Sequence, residues 1–196
     1  LERARAAGLA GLLAVGGGPV LNAGAIAAAR HAPGFAALAL GWERGQAGRV
    51  SAEQALDLLR EEVERCRAEA LAPVAIGEIG LDYHHGTETA AEQRELFERQ
   101  VALAAEWGLP VVVHSREAEA DTLAILHAVG SRALAAAGRL GVLHCFTGGR
   151  GFAEAVLAAG LHVSFSGIVT FHNAADLRET ARRIPEERLL VETDCP

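Results

Sequence analysis

The sequence contains no methionine, not even at its first position. The expectation is that processing removed the start or that the chain is a piece of a longer frame. Cysteine is scarce: Cys66, Cys145 and Cys195 are an odd number, widely spaced, and form no Cys-x-x-Cys pair. A reduced, cytoplasmic setting is the simplest reading of that usage. Aromatic residues make up only 5% of the chain, while Ala, Leu, Val and Gly dominate. That suits tight packing of helices on strands better than an aromatic-rich sandwich. No apolar run reaches the roughly 18 residues of a membrane-spanning helix, so no membrane partner is expected. Leu1 is followed at once by Glu2, Arg3 and Arg5, which does not read as a secretory leader. An excess of basic residues is also missing: 18 Lys and Arg face 25 Asp and Glu, a net charge of −7. Tight nonspecific DNA binding is therefore disfavoured. An enzyme that processes nucleic acid is not, because bound divalent cations supply local positive charge.

The 196 residues are 51% apolar and 22% charged, enough for one domain with a sizeable core, so 1–196 is read as a single domain. Short apolar runs bounded by Gly, Pro or polar residues predict strands at Gly11–Val15, Ala36–Leu40, Val74–Ile79, Pro110–His114, Gly141–Cys145, Leu161–Phe165 and Leu189–Glu192. Helical stretches separate them. Ser51 with Gln54, and Thr89 with Glu92, predict capping boxes. Leu56, Leu59, Val63, Cys66 and Ala70 share one face of the first helix. In the second, Leu96, Gln100, Leu103 and Trp107 recur, the Gln interrupting an apolar stripe, and Gly108 supplies a stop. Shorter helices are expected near Glu117–Val129, Phe152–Ala159 and Asn173–Arg183. Seven strands alternating with helices predict a parallel α/β sheet, either an open doubly wound sheet or a closed (β/α)8 barrel. Gly16-Gly17-Gly18 lacks the spacing of a nucleotide-binding loop and reads as a plain turn, with Gly16–Pro19 a loop.

Metal-type side chains recur at one end of these strands. Glu78, His114, His144 and Asp194 each lie at or just past the C-terminal end of a different predicted strand. In a parallel barrel that end builds active sites. Imidazole with carboxylate suits zinc, manganese or iron better than magnesium or calcium alone. Two such ions a few Å apart are a recurrent device for phosphodiester hydrolysis. Taken singly, each residue has a plainer role: a lone His is a polar loop residue, and Glu78 or Asp194 caps the next helix. Their coincidence favours a metal centre. His31 and His127 read as surface residues, His84 and His85 as rim or loop residues, and His162 as opening a strand at the opposite end. His172 is a minor candidate for lining the mouth. Cys145 and Cys195 read as packing residues rather than nucleophiles.

Gly77-Glu78-Ile79-Gly80-Leu81-Asp82-Tyr83 resembles a signature of TatD-type metal-dependent hydrolases. Leu109-Pro110-Val111-Val112-Val113-His114-Ser115-Arg116, Gly141-Val142-Leu143-His144-Cys145-Phe146-Thr147-Gly148 and Arg188-Leu189-Leu190-Val191-Glu192-Thr193-Asp194-Cys195-Pro196 resemble the signatures that follow. The resemblance spans nearly the whole chain. It implies a TIM-type barrel of the metallo-dependent hydrolase superfamily and a divalent-metal phosphodiesterase, a deoxyribonuclease with DNA as substrate. It implies up to two divalent ions (Mg, Mn or Zn). Glu78 would bridge them, His114 and His144 would bind one, and Asp194 would bind the other and help activate the attacking water. Glu78 and Asp194 are thus the expected catalytic pair, and Arg116 is placed to meet a phosphate. The family's His-x-His pair on its first strand is not found in this sequence, and Gly41-Trp42-Glu43-Arg44 stands where the family has Gly-x-His-Pro. The expectation is a barrel of about seven strands, truncated at both ends, that binds at most one ion well. The rival readings are an amidohydrolase-like enzyme acting on a small amide or ester, and an inactive, non-catalytic fragment. No obligatory protein partner is predicted.

Overall fold

The computed structural model describes residues 1–84, 86–130, 132–136 and 138–194. Seven strands form one sheet: β1 (Leu12–Val15), β2 (Ala36–Leu40), β3 (Ala75–Asp82), β4 (Val111–Arg116), β5 (Gly141–Leu143), β6 (Leu161–Phe165) and β7 (Leu189–Val191). Among the described residues eight α-helices accompany them: α1 (Glu2–Ala6), α2 (Pro19–His31), α3 (Ala52–Ala68), α4 (Ala90–Trp107), α5 (Glu119–Val129), α6 (Arg132–Ala136), α7 (Arg150–Ala158) and α8 (Ala175–Ala181). Every pairing is parallel and the spatial order is the chain order, β1 to β7. A doubly wound sheet reverses its strand order at a switch point. This one never does, which is the arrangement of a TIM-type barrel; β1 and β7 are its two edges.

The main core lies between the outer face of the sheet and the helices. Leu38, Leu40, Ile76, Ile79, Leu81, Val113, Leu143, Leu161 and Val163 are nearly inaccessible there, against Ala29, Leu59, Val63, Leu96, Phe97, Leu126 and Val156 from the helices. The inner face is lined by small residues, with Ala39, Ala75 and Val112 packed beside Val142. Burial on both faces explains why β3 reads as an apolar run broken at Glu78 and closed by buried Asp82.

Helix termini follow the expected chemistry in part. Ser51 Oγ accepts the Gln54 N–H at 3.2 Å, as a capping residue should. Ala52, Ala55, Leu59, Val63 and Cys66 form the buried face of α3. Ala70, expected on that face, lies beyond the helix with φ 58°, exposed. Thr89 makes no side-chain cap bond to a backbone N–H. Its hydroxyl accepts instead from Gln93 Nε2 at 3.2 Å. Gly108 ends α4 in the left-handed conformation, φ 66°. Gln100, the break in the stripe, is fully buried. Its amide receives Trp42 N–H at 2.8 Å and donates to Trp42 O at 2.9 Å, clamping the segment after β2 to α4. The glycine turn is followed directly by α2, so Pro19, expected in a loop, is helical. Asn22 Oδ1 accepts from Gly17 N at 3.0 Å inside it.

Candidate metal centre

Glu78 lies inside β3 rather than at its end. Between the Ile76↔Val111 and Ile79↔Val113 pairs, β3 spends three residues against two on β4, a bulge that breaks the regular alternation. The Gly77–Glu78 peptide is cis. Glu78 N–H donates to Gly16 O at 2.7 Å, reaching over the end of β2. Gly41 sits beneath this crossing, where a Cβ would lie 2.8 Å from the Gly77 carbonyl carbon. The polypeptide thus lifts the Glu78 carboxylate onto the inner rim. His114 follows three buried valines on β4, paired level with Gly80. His144 follows β5, its N–H donating to Val113 O at 2.9 Å.

These three side chains meet. Glu78 Oε1 is 3.6 Å from His114 Nδ1 and 3.6 Å from His144 Nε2, and the imidazole centroids are 5.5 Å apart. Their ligand atoms lie within 4.8 Å of one another, the spacing a metal ion gathers. His144, Glu192 and Asp194 form a second such group that shares His144. Asp194 is thus grouped with His144 and Glu192 and not with Glu78 and His114. It is exposed, three residues past β7, with φ 49°. Arg116 ends β4, exposed, with no ion pair to its guanidinium among the described residues. His31, His127 and His172 are exposed. His84 is also exposed, its Nδ1 2.5 Å from Glu117 Oε1. His162 lines a cavity of about 400 Å³ on the inner face, with Ala75, Val112, Val142 and Leu190. His85 and Cys195 lie outside the described residues.

Three residues not singled out as site residues complete the rim. Asp82, buried at the end of β3, has Oδ2 at 3.2 Å from His114 Nε2, and its Oδ1 accepts His84 N–H at 3.0 Å. Glu192 Oε1 accepts Cys145 N–H at 2.6 Å and lies 3.4 Å from His144 Nδ1. Each imidazole thus has a carboxylate on one nitrogen, leaving the other facing Glu78. A carboxylate that orients a ligating His in this way is a recurrent support of metal sites. Arg44 places Nη1 2.6 Å from Glu78 Oε1 and Nε 3.6 Å from Asp82 Oδ2. The sequence did carry a signal for the two carboxylates: Asp82 lies four residues from Glu78, and Glu192 two from Asp194, each within the same signature stretch as a candidate ligand.

The charges are strongly coupled. Burial would raise the Glu78 carboxyl, but His144, then Arg44 and His114, outweigh it and hold Glu78 below the ordinary carboxylate range. Burial pushes His114 down to about 4, aided by Arg44, against the pull of Glu78 and Asp82. Burial also opposes charge on His144, but Glu192 and Glu78 overcome it and raise that imidazole to about 9. Burial, with Asp194 and Glu192, pushes the Cys145 thiol up to about 11 despite the contact from Ser166, which fits packing rather than nucleophilic duty. His144 Nε2 is buried with no hydrogen-bond partner among the described residues. A buried polar atom without a partner is costly unless something else satisfies it. Aimed at a carboxylate and a second imidazole, it fits a divalent cation.

A parallel barrel with imidazoles and carboxylates converging on its C-terminal rim defines the class: barrels built around a metal centre. The family model described as TatD related DNase matches residues 1–196, and the chain belongs to that family. It is 48% identical over 136 residues to the uncharacterized metal-dependent hydrolase YcfH of Escherichia coli K12, covering 69% of this chain and 49% of that protein. It is 40% identical over 197 residues to the 3'-5' ssDNA/RNA exonuclease TatD of Edwardsiella piscicida, covering all of this chain and 72% of that one. Among solved structures, the TatD homologue YjjV of Escherichia coli K12 superposes with a TM-score of 0.85 at 30% identity, covering 100% of this chain and 71% of that one. The chain spans about half the length of the YcfH relative. No helix among the described residues is long and apolar enough to cross a membrane.

Proposed function

We propose that the protein is a divalent-metal-dependent phosphodiesterase acting on single-stranded nucleic acid, with DNA as its substrate. The observation that carries this reading is Glu78 Oε1 lying 3.6 Å from both His114 Nδ1 and His144 Nε2, the latter buried with no hydrogen-bond partner among the described residues. The exonuclease activity in the name of the Edwardsiella relative, matched along this whole chain, supports the substrate class. Glu78, His114 and His144 would hold one ion, and Asp194 joins it through the group it shares with His144. Two imidazoles and a carboxylate favour zinc or manganese over magnesium. A bound ion of this kind activates water and neutralises charge developing on a phosphoryl group. Asp194, exposed at the mouth, accepts the proton of the attacking water. Asp82 and Glu192 keep the two imidazoles turned inward. Arg116, exposed on the same side, meets a neighbouring phosphate of the strand.

The test is nucleotide release from end-labelled single-stranded DNA in the presence of Mn²⁺ or Zn²⁺, with direct measurement of ion binding. Glu78→Gln should lose both ion binding and cleavage. Undiminished cleavage in that variant would rule out the central role of Glu78.

A further inference from the structure

Arg44 sits on the Glu78 oxygen that faces both candidate imidazoles. Glu78 Oε1 faces both His114 Nδ1 and His144 Nε2, and the same atom receives Arg44 Nη1 at 2.6 Å. The guanidinium spans two carboxylates of β3, with its Nε 3.6 Å from Asp82 Oδ2, while Glu43 Oε2 lies 3.3 Å from Nη1. Its placement is built rather than incidental. Gln100 clamps both backbone groups of Trp42, and Glu43 caps the short turn that begins at Arg44, accepting Gly45 N–H at 2.7 Å and Gln46 Nε2–H at 3.3 Å. The arginine side chain is nonetheless 31% exposed, so one face of the fork reaches solvent.

Two cations cannot share one carboxylate oxygen at bonding distance without strong repulsion. We propose that Arg44 is the resident counter-cation of Glu78, that an incoming divalent ion displaces it from Oε1, and that the displaced guanidinium then binds the phosphodiester of the substrate. The planar fork of an arginine matches phosphate oxygens bidentately, which a lysine cannot reproduce. Arg44 thus competes with metal in the empty centre and holds phosphate in the filled one. This rests on the metal-centre reading above.

The experiment is calorimetric titration of Mn²⁺ into the protein and its Arg44→Met and Arg44→Lys variants, followed by titration of a dithymidine phosphorothioate into each Mn²⁺-loaded form. Circular dichroism confirms the fold of each. Arg44→Met should bind Mn²⁺ about tenfold more tightly than the parent, since a neighbouring like charge commonly shifts cation affinity by that order. The same variant should bind the phosphorothioate about tenfold more weakly. Arg44→Lys should leave Mn²⁺ affinity near the parent value yet still weaken phosphorothioate binding. If Arg44→Met and the parent bind Mn²⁺ equally well, the counter-cation role is wrong while the metal centre stands. If neither binds Mn²⁺, the metal centre itself is wrong and this role falls with it. Should Arg44→Met fail to fold, Arg44→Lys decides alone: unchanged phosphorothioate affinity overturns the proposal.

Discussion

At the scale of single residues, His144 carries the most consequence. Its imidazole is raised to about 9 by Glu192 and Glu78, against burial. A ligating imidazole must be neutral, so ion binding at this centre expels a proton. Zinc affinity should therefore rise with pH between about 6.5 and 9, by up to about tenfold per unit. Zinc titrations in a series of buffers measure it; an affinity flat across that range would contradict the raised imidazole. Without metal, the sign runs the other way. The folded value lies above the ordinary 6.5, so the stabilisation from charged His144 is complete below about 6.5 and fades as pH rises through about 9. Glu192→Gln removes the carboxylate that accepts Cys145 N–H and faces His144 Nδ1. It should weaken zinc binding roughly tenfold to a hundredfold, as loss of such orienting partners does. The residues legible in advance were those in which one polar group closes a run of valines, His114 above all. The position of Arg44 was not legible, because it depends on a turn folding back over the rim, which no spacing along the chain records.

At the scale of elements, the strands were readable because each is a short, mainly apolar run, buried on both faces in the middle of the sheet and half-exposed at β1 and β7. Ala36–Leu40 and Leu161–Phe165 lie where those runs predict. The end of β3 was misplaced because polar Asp82 continues the strand, held there by Gln93, whose side chain accepts Asp82 N–H at 2.9 Å and donates to Asp82 O at 3.1 Å. The bulge at Glu78 was invisible for the same kind of reason: register is a property of two strands together. Gly80, two residues on, has φ 136°, and a Cβ there would lie 2.0 Å from His114 O. Gly80→Ala should cost roughly 3 kcal/mol or more, through backbone strain and a displaced neighbouring strand. It should also weaken metal binding, because the displaced atom belongs to a proposed ligand. Urea unfolding with parallel zinc titration checks both; a stability loss with unchanged zinc affinity would detach β3–β4 register from the centre.

For the molecule as a whole, the strand order decided between two architectures that the sequence left open, since both are built from alternating strands and helices. The resemblance implied that His114 and His144 would bind one ion and Asp194 the other, with Glu78 between them; the structure instead gathers the candidate ligands into two groups that overlap at His144. At the β7 edge, Val191 is 80% exposed and Leu190 45%. An open, apolar strand edge recruits other chains. The 196-residue polypeptide should self-associate, and Val191→Lys should reduce this; sedimentation velocity over a concentration series measures it. Identical behaviour of the two chains would mean that the edge is not the sticky surface.

Glu78 and His114 come from β3 and β4 and His144 from just past β5, consecutive neighbours in the sheet. A cation held by them rivets the middle of the sheet, and Asp194 extends its hold to the segment just past β7 but not to β1. Amide hydrogen exchange should therefore slow on zinc addition chiefly across 75–145 and next to β7, while β1 keeps its metal-free rates. Ligation and local unfolding would then be coupled from the centre of the protein to one border and independent at the other.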